Sequence, residues 1–116
     1  MTIRYKNQGF KQANTNLNTV LTCPADATLI VKSIYCSNND ASSGILVNAS
    51  IVDSSDSSTE YEFFRDEVAA KTQVNASPQG INLEAGDSIK IQAATGSNKI
   101  QGAVSYAQID RSQENG

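Results

Sequence analysis

Short stretches in which apolar and polar residues alternate recur along this chain, separated by turn-forming clusters. Ile45, Val47, Ala49 and Ile51 fall on one face of a predicted strand, and Asn48 and Ser50 on the other. Ile89, Ile91 and Ala93 alternate with Ser88, Lys90 and Gln92. Ile100, Gly102, Val104 and Tyr106 alternate with Gln101, Ala103, Ser105 and Ala107. This period of two is that of a sheet with one buried face. The run Thr28–Cys36 is apolar on both sides and predicts a central strand covered on both faces. No long window repeats apolar residues at helical spacing.

Turn clusters lie at 38–44, 53–58, 77–80, 84–87 and 95–98. The predicted strands are 2–7, 15–22, 27–37, 44–53, 58–65, 71–76, 80–83, 87–94 and 99–109. Residues 65–71 read either as one helical turn, from the Glu67–Lys71 spacing, or as a connecting loop. The turn Cys23-Pro24-Ala25-Asp26-Ala27 predicts a hairpin between its flanking segments.

The fold class that follows is all-β: an antiparallel β-sandwich of about eight strands, with jelly-roll wiring the expected connectivity. One domain is expected over 1–110, followed by a polar C-terminal tail, 111–116. The segment Thr2–Gln12 is expected to pair within its own domain, the alternative being an arm that crosses to a neighbour. A sandwich has edge strands, and a long uncapped edge invites another chain.

Composition fits this picture. With 116 residues, 39% of them hydrophobic, no Trp, four Tyr and three Phe, the core must be built from small aliphatic and β-branched residues. The net charge of −3, with basic residues scattered from Arg4 to Arg111, argues against a nucleic-acid partner. No stretch approaches the length of a membrane span, and residues 1–6 lack the apolar run of a signal peptide. Synthesis in the cytoplasm and no membrane partner are therefore expected. Cys23 and Cys36 are expected to be free thiols, with Cys36 packed as a small hydrophobe.

The search for chemistry returns little. The chain has no His, which removes the commonest general base and the usual triads. No Ser sits in a nucleophile elbow, and no phosphate-binding glycine loop is present. No catalytic residue, cofactor site or metal site is expected, and the protein is read as no enzyme. The loop Asp53–Glu60 offers oxygen ligands but lacks the alternating spacing of a calcium loop, so it reads as a solvated turn. Tyr61, Phe63 and Phe64 could form a sugar platform, but core packing is the better reading. In Ile81–Ile91, Gly86 is expected to take a positive φ in a tight turn and Asp87 to accept hydrogen bonds from nearby backbone amides.

The ordered series Tyr5-Lys6-Asn7-Gln8-Gly9, Thr19–Ala25, Ile30–Asn38, Leu83–Ile89 and Val104-Ser105-Tyr106 resembles the small virion structural proteins of tailed bacteriophages, especially marine and cyanobacterial phages. The resemblance spans roughly residues 1–109. It implies a non-enzymatic component of the virion, made in the host cytoplasm, either a capsid decoration (cement) protein or a tail, neck or baseplate part. Its partners would be the major capsid protein or other virion proteins, and further copies of itself in a homo-oligomer. Ile3, Tyr5 and Phe10 are the candidate contact residues, together with loops at one end of the sandwich. A glycan-binding module for host recognition is the remaining alternative.

Overall fold

The computed structural model describes residues 2–111; residues 112–116, most of the expected tail, lie outside the described residues. Nine strands form in chain order: β1 (Thr2–Lys11), β2 (Asn18–Thr22), β3 (Ala27–Asn38), β4 (Ile45–Asp53), β5 (Thr59–Val68), β6 (Gln73–Asn75), β7 (Ile81–Leu83), β8 (Ser88–Ala93) and β9 (Ile100–Asp110). A single 3-10 turn, Ser54–Asp56, links β4 to β5. Sheet A has the order β1-β9-β3-β6, with β7 also pairing with β3; sheet B has the order β2-β8-β4-β5. Every ladder is antiparallel. The fold is thus an all-β antiparallel sandwich, elongated to 54 × 29 × 23 Å.

The alternating residues meet between the sheets. Leu29, Val31, Ile34 and Cys36 of β3 and Val104 and Tyr106 of β9 face Ile45, Val47 and Ala49 of β4 and Ile89, Ile91 and Ala93 of β8, all of them buried. Among the buried polar side chains, two close loops. The Asn38 amide donates to the carbonyls of Ser43 (2.9 Å) and Val68 (2.8 Å) and accepts from the Asp40 amide (2.8 Å). The Gln12 amide donates to the Ile91 carbonyl at 2.9 Å. A buried backbone carbonyl without a partner is costly, so these side chains fix where the chain leaves one sheet for the other.

Three sequence expectations are corrected. The turn at Cys23–Ala27 does not close a hairpin: β2 pairs with β8 and β3 with β9, so this turn carries the chain from sheet B to sheet A. Residues 65–71 contain no helical turn. β5 runs on to Val68, which is fully buried opposite Ile45, and Lys71 then takes φ 60° in the following loop. Finally, β3 is central but covered on one face only. A sandwich has two layers, so the outer face of each sheet meets solvent, and Ile30 and Tyr35 are 40% and 48% exposed.

Candidate interaction surface

Registered neighbours in a sheet point their side chains to the same side. On the outer face of sheet A, Tyr5 of β1 stands beside Ala107 of β9, which stands beside Ile30 of β3. The next row is Ile3, Ile109 and Thr28. Tyr5 is 77% exposed and Ile3 51%, yet Ala107, between Tyr5 and Ile30, is only 6% exposed. The Lys32 ammonium lies 5.1 Å from the centre of the Tyr5 ring, a cation–π contact that holds the ring across the patch. Tyr35 continues the same face farther along β3, opposite Ala103. Of the exposed large apolar side chains, Leu46 and Tyr61 alone belong to sheet B. Apolar exposure is therefore concentrated on one face, the pattern of an adhesive surface rather than of scattered residues.

On the opposite face of the same two strands lies a polar clasp. Arg4 Nη2 lies 3.0 Å from Asp110 Oδ2, and the Gln108 amide donates to Asp110 Oδ1 at 2.9 Å. Gln108 first, and Arg4 after it, hold the Asp110 carboxyl below its ordinary pKa. The clasp ties the exposed start of β1 to the end of β9.

Of the residues singled out in the sequence, Ile3 and Tyr5 come together on this outer face, whereas Phe10 turns to the other side of β1 and packs, half-buried, against the core. Gly86 has φ +86°. Asp87 is 5% exposed, and its carboxylate accepts from the Ser54 amide (3.0 Å), the Ser54 hydroxyl (3.1 Å) and the Glu84 amide (2.9 Å). Asp87 thus joins the β7–β8 turn to the loop after β4. In that loop the carboxylates serve local bonds: Asp53 accepts from the amide and hydroxyl of Ser55, and Asp56 accepts from the Tyr61 hydroxyl. Phe63 and Phe64 pack, half-buried, against the core, at a bulge in the β4–β5 pairing.

Sequence reading missed Ile30, Lys32 and Tyr35 as surface residues, because a run apolar on both sides reads as doubly covered. The signal available was the polar pair Lys32-Ser33 inside it, where a bulge shifts the register between β3 and β9.

The fold and its surface define a class: two-layer antiparallel β-sandwiches with one apolar outer sheet face. No family model and no curated protein sequence matches the chain. Among solved structures it is similar to a protein of Bacillus endospore appendages, described as a novel family of disulfide-linked pili, at 11% identity and TM-score 0.50 over 92% of this chain and 86% of that one. It is also similar to a chain of the T13 infectious bursal disease virus particle, at 9% identity and TM-score 0.54, covering 91% of this chain but 30% of that chain. A pentameric capsid protein isolated from metagenomic phage sequences aligns at 13% identity and TM-score 0.46 over 93% of this chain and 70% of its own. At these identities the likeness is one of fold.

Proposed function

We propose that this protein is a non-enzymatic structural subunit of a virus particle: a phage capsid decoration protein whose outer sheet A face docks on the head shell. The observation that carries the reading is the registered apolar patch of Ile3, Tyr5, Ile30 and Ile109 on that face. Interface cores favour aromatic and aliphatic side chains of this kind, and Tyr offers a large contact area at little entropic cost. The strand order supports jelly-roll wiring, because β1-β9-β3 followed by the broken β6 and β7, against β2-β8-β4-β5, is the alternation of two interlocked Greek keys. The likeness in fold to a virus-particle chain agrees with it. Many copies, each held by one modest patch, bind a repeating shell through avidity.

The test is addition of purified protein to undecorated phage heads. The expected result is saturable binding that raises the temperature at which the heads disrupt; absence of binding overturns the reading. A copy number of about a dozen or fewer per virion would instead move the protein to a tail, neck or baseplate ring under closed symmetry.

A filament subunit is the second reading, favoured by the likeness to the spore-appendage protein. Disulfide linkage through Cys23 or Cys36 would have to open the core, since both thiols are free and no more than 1% exposed.

A further inference from the structure

The sandwich has four lateral edges, and they are not alike. β2, one edge of sheet B, has five residues and a register shift against β8. The far edge of sheet A is broken into β6 and β7, each of three residues. Short or irregular edges resist pairing with another chain. The remaining edges, β1 and β5, are ten residues long, β5 with one bulge against β4 between Glu62 and Phe64, and among the described residues each pairs with a strand on one side. They lie on opposite sides of the molecule: β1 packs beside β2, whereas the end of β5 meets β3 through the Asn38–Val68 hydrogen bond.

Their charges are complementary. β1 carries Arg4, Lys6 and Lys11 and no carboxylate; β5 carries Glu60, Glu62, Asp66 and Glu67 against one cation, Arg65. Arg65 is taken up by Glu62 within its own strand, at 2.8 Å. Among the described residues, Lys11, Glu60 and Glu67 have no ion-pair partner. Two β1 edges repel each other, as do two β5 edges, while β1 against β5 attracts.

Direction and register agree with the charge. β1 and β3 run the same way, since both are antiparallel to β9. The chain reverses into β4 and again into β5, so β5 runs in the direction of β1. A neighbouring copy in the same orientation therefore sets its β5 parallel to this β1. An offset of 56 positions then places Arg4 opposite Glu60, Tyr5 opposite Tyr61 and Lys6 opposite Glu62. The faces match as well: Arg4 and Lys6 share one face of β1 with Tyr5 on the other, and Glu60 and Glu62 share one face of β5 with Tyr61 on the other.

From these observations we infer that copies of this protein associate head to tail, the β1 edge of one pairing with the β5 edge of the next. The contact is heterologous. It closes into a ring if the rotation per copy allows and otherwise extends as a filament. The inference deepens the proposed many-copy structural role, on which it rests, and names the contact between copies.

Charge reversal tests it. Arg4→Glu/Lys6→Glu reverses one edge and Glu60→Lys/Glu62→Lys the residues set opposite it; the Arg4–Asp110 and Arg65–Glu62 pairs that these changes remove both have exposed arginines and contribute little to folding. The wild type is expected to form oligomers at high protein concentration that dissociate as salt is raised, followed by light scattering after size exclusion. Each double variant alone should self-associate at least about tenfold more weakly. An equimolar mixture of the two should regain assembly, because each reversed edge then meets a reversed partner; isologous pairing does not predict this rescue. Tyr5→Cys/Tyr61→Cys should give a ladder of disulfide-linked oligomers on oxidation, with either single variant stopping at dimers. A wild type that stays monomeric at millimolar concentration, or oligomers indifferent to both reversals, overturns the contact. Addition to phage heads is read separately. Wild type that binds heads but never self-associates sinks this contact alone, and wild type that self-associates but ignores heads sinks the virion reading alone.

Discussion

The carboxylate of Asp87 grips Ser54 twice, at the backbone amide and at the hydroxyl, and so fastens the β7–β8 turn to the loop that follows β4. A third bond, from the Glu84 amide, completes the turn itself. Charged acceptors give the stronger class of hydrogen bond. Asp87→Ala is expected to cost about 1–3 kcal/mol, by removing the acceptor of the Ser54 and Glu84 amides. Urea unfolding should show a lower midpoint with an unchanged slope.

Gly102 and Tyr35 make a comparably tight approach. A Cβ on Gly102 would stand 1.7 Å from the Tyr35 carbonyl oxygen, a backbone atom that cannot swing aside. Gly102→Ala must therefore displace β3 from β9. A loss of about 2 kcal/mol or more is expected in thermal unfolding, the scale of overpacking in a well-filled interior.

Ser50 presents the opposite case. Its hydroxyl is fully buried in β4 and has no hydrogen-bond partner among the described residues. Burying a hydroxyl without a partner costs free energy that alanine does not incur. Ser50→Ala should raise stability by about 1 kcal/mol, measured by the same unfolding titration.

Burial pushes the Cys36 thiol up to about 12 and raises that of Cys23 as well. An acid whose pKa rises on folding contributes its full stability below its unfolded value. That contribution falls away as pH climbs from 9.0 toward about 12. Stability is expected to decline over that alkaline window, and less so in Cys36→Ala compared with its own value at pH 7. A disulfide-exchange reagent at pH 8 should label neither thiol in the native protein and both in urea.

The outer face of sheet A can be probed without touching the core. Ile30→Asp and Ile3→Asp place a charge on the apolar patch at positions already 40% and 51% exposed. Each should change stability by no more than about 0.5 kcal/mol, while binding to undecorated heads weakens on the order of tenfold or more. Retained head binding in both variants would remove this face from the proposed contact.

Strand identity was legible from local pattern. The alternations around Ile45–Ile51, Ile89–Ala93 and Ile100–Tyr106 each became a strand with the expected side buried. One face of a sandwich strand must leave water, and that demand is written into every second residue. Ile3 and Tyr5 could also be picked out as candidate contact residues, because they stand alone in a polar segment.

Tertiary structure decided which strands are neighbours, and with that everything about the surface. Nothing local to Cys23–Ala27 distinguishes a hairpin from a crossing between sheets, since the same turn geometry serves both. Nor could the run Thr28–Cys36 reveal that Ile30 and Tyr35 face solvent, because exposure depends on whether a third layer covers the sheet. The opposition of a cationic β1 edge to an acidic β5 edge is visible in composition, yet it acquires meaning only when the fold leaves both strands long, unpaired on one side and at opposite flanks. Alternation fixes what a strand buries; pairing partners distant in the chain fix what it shows.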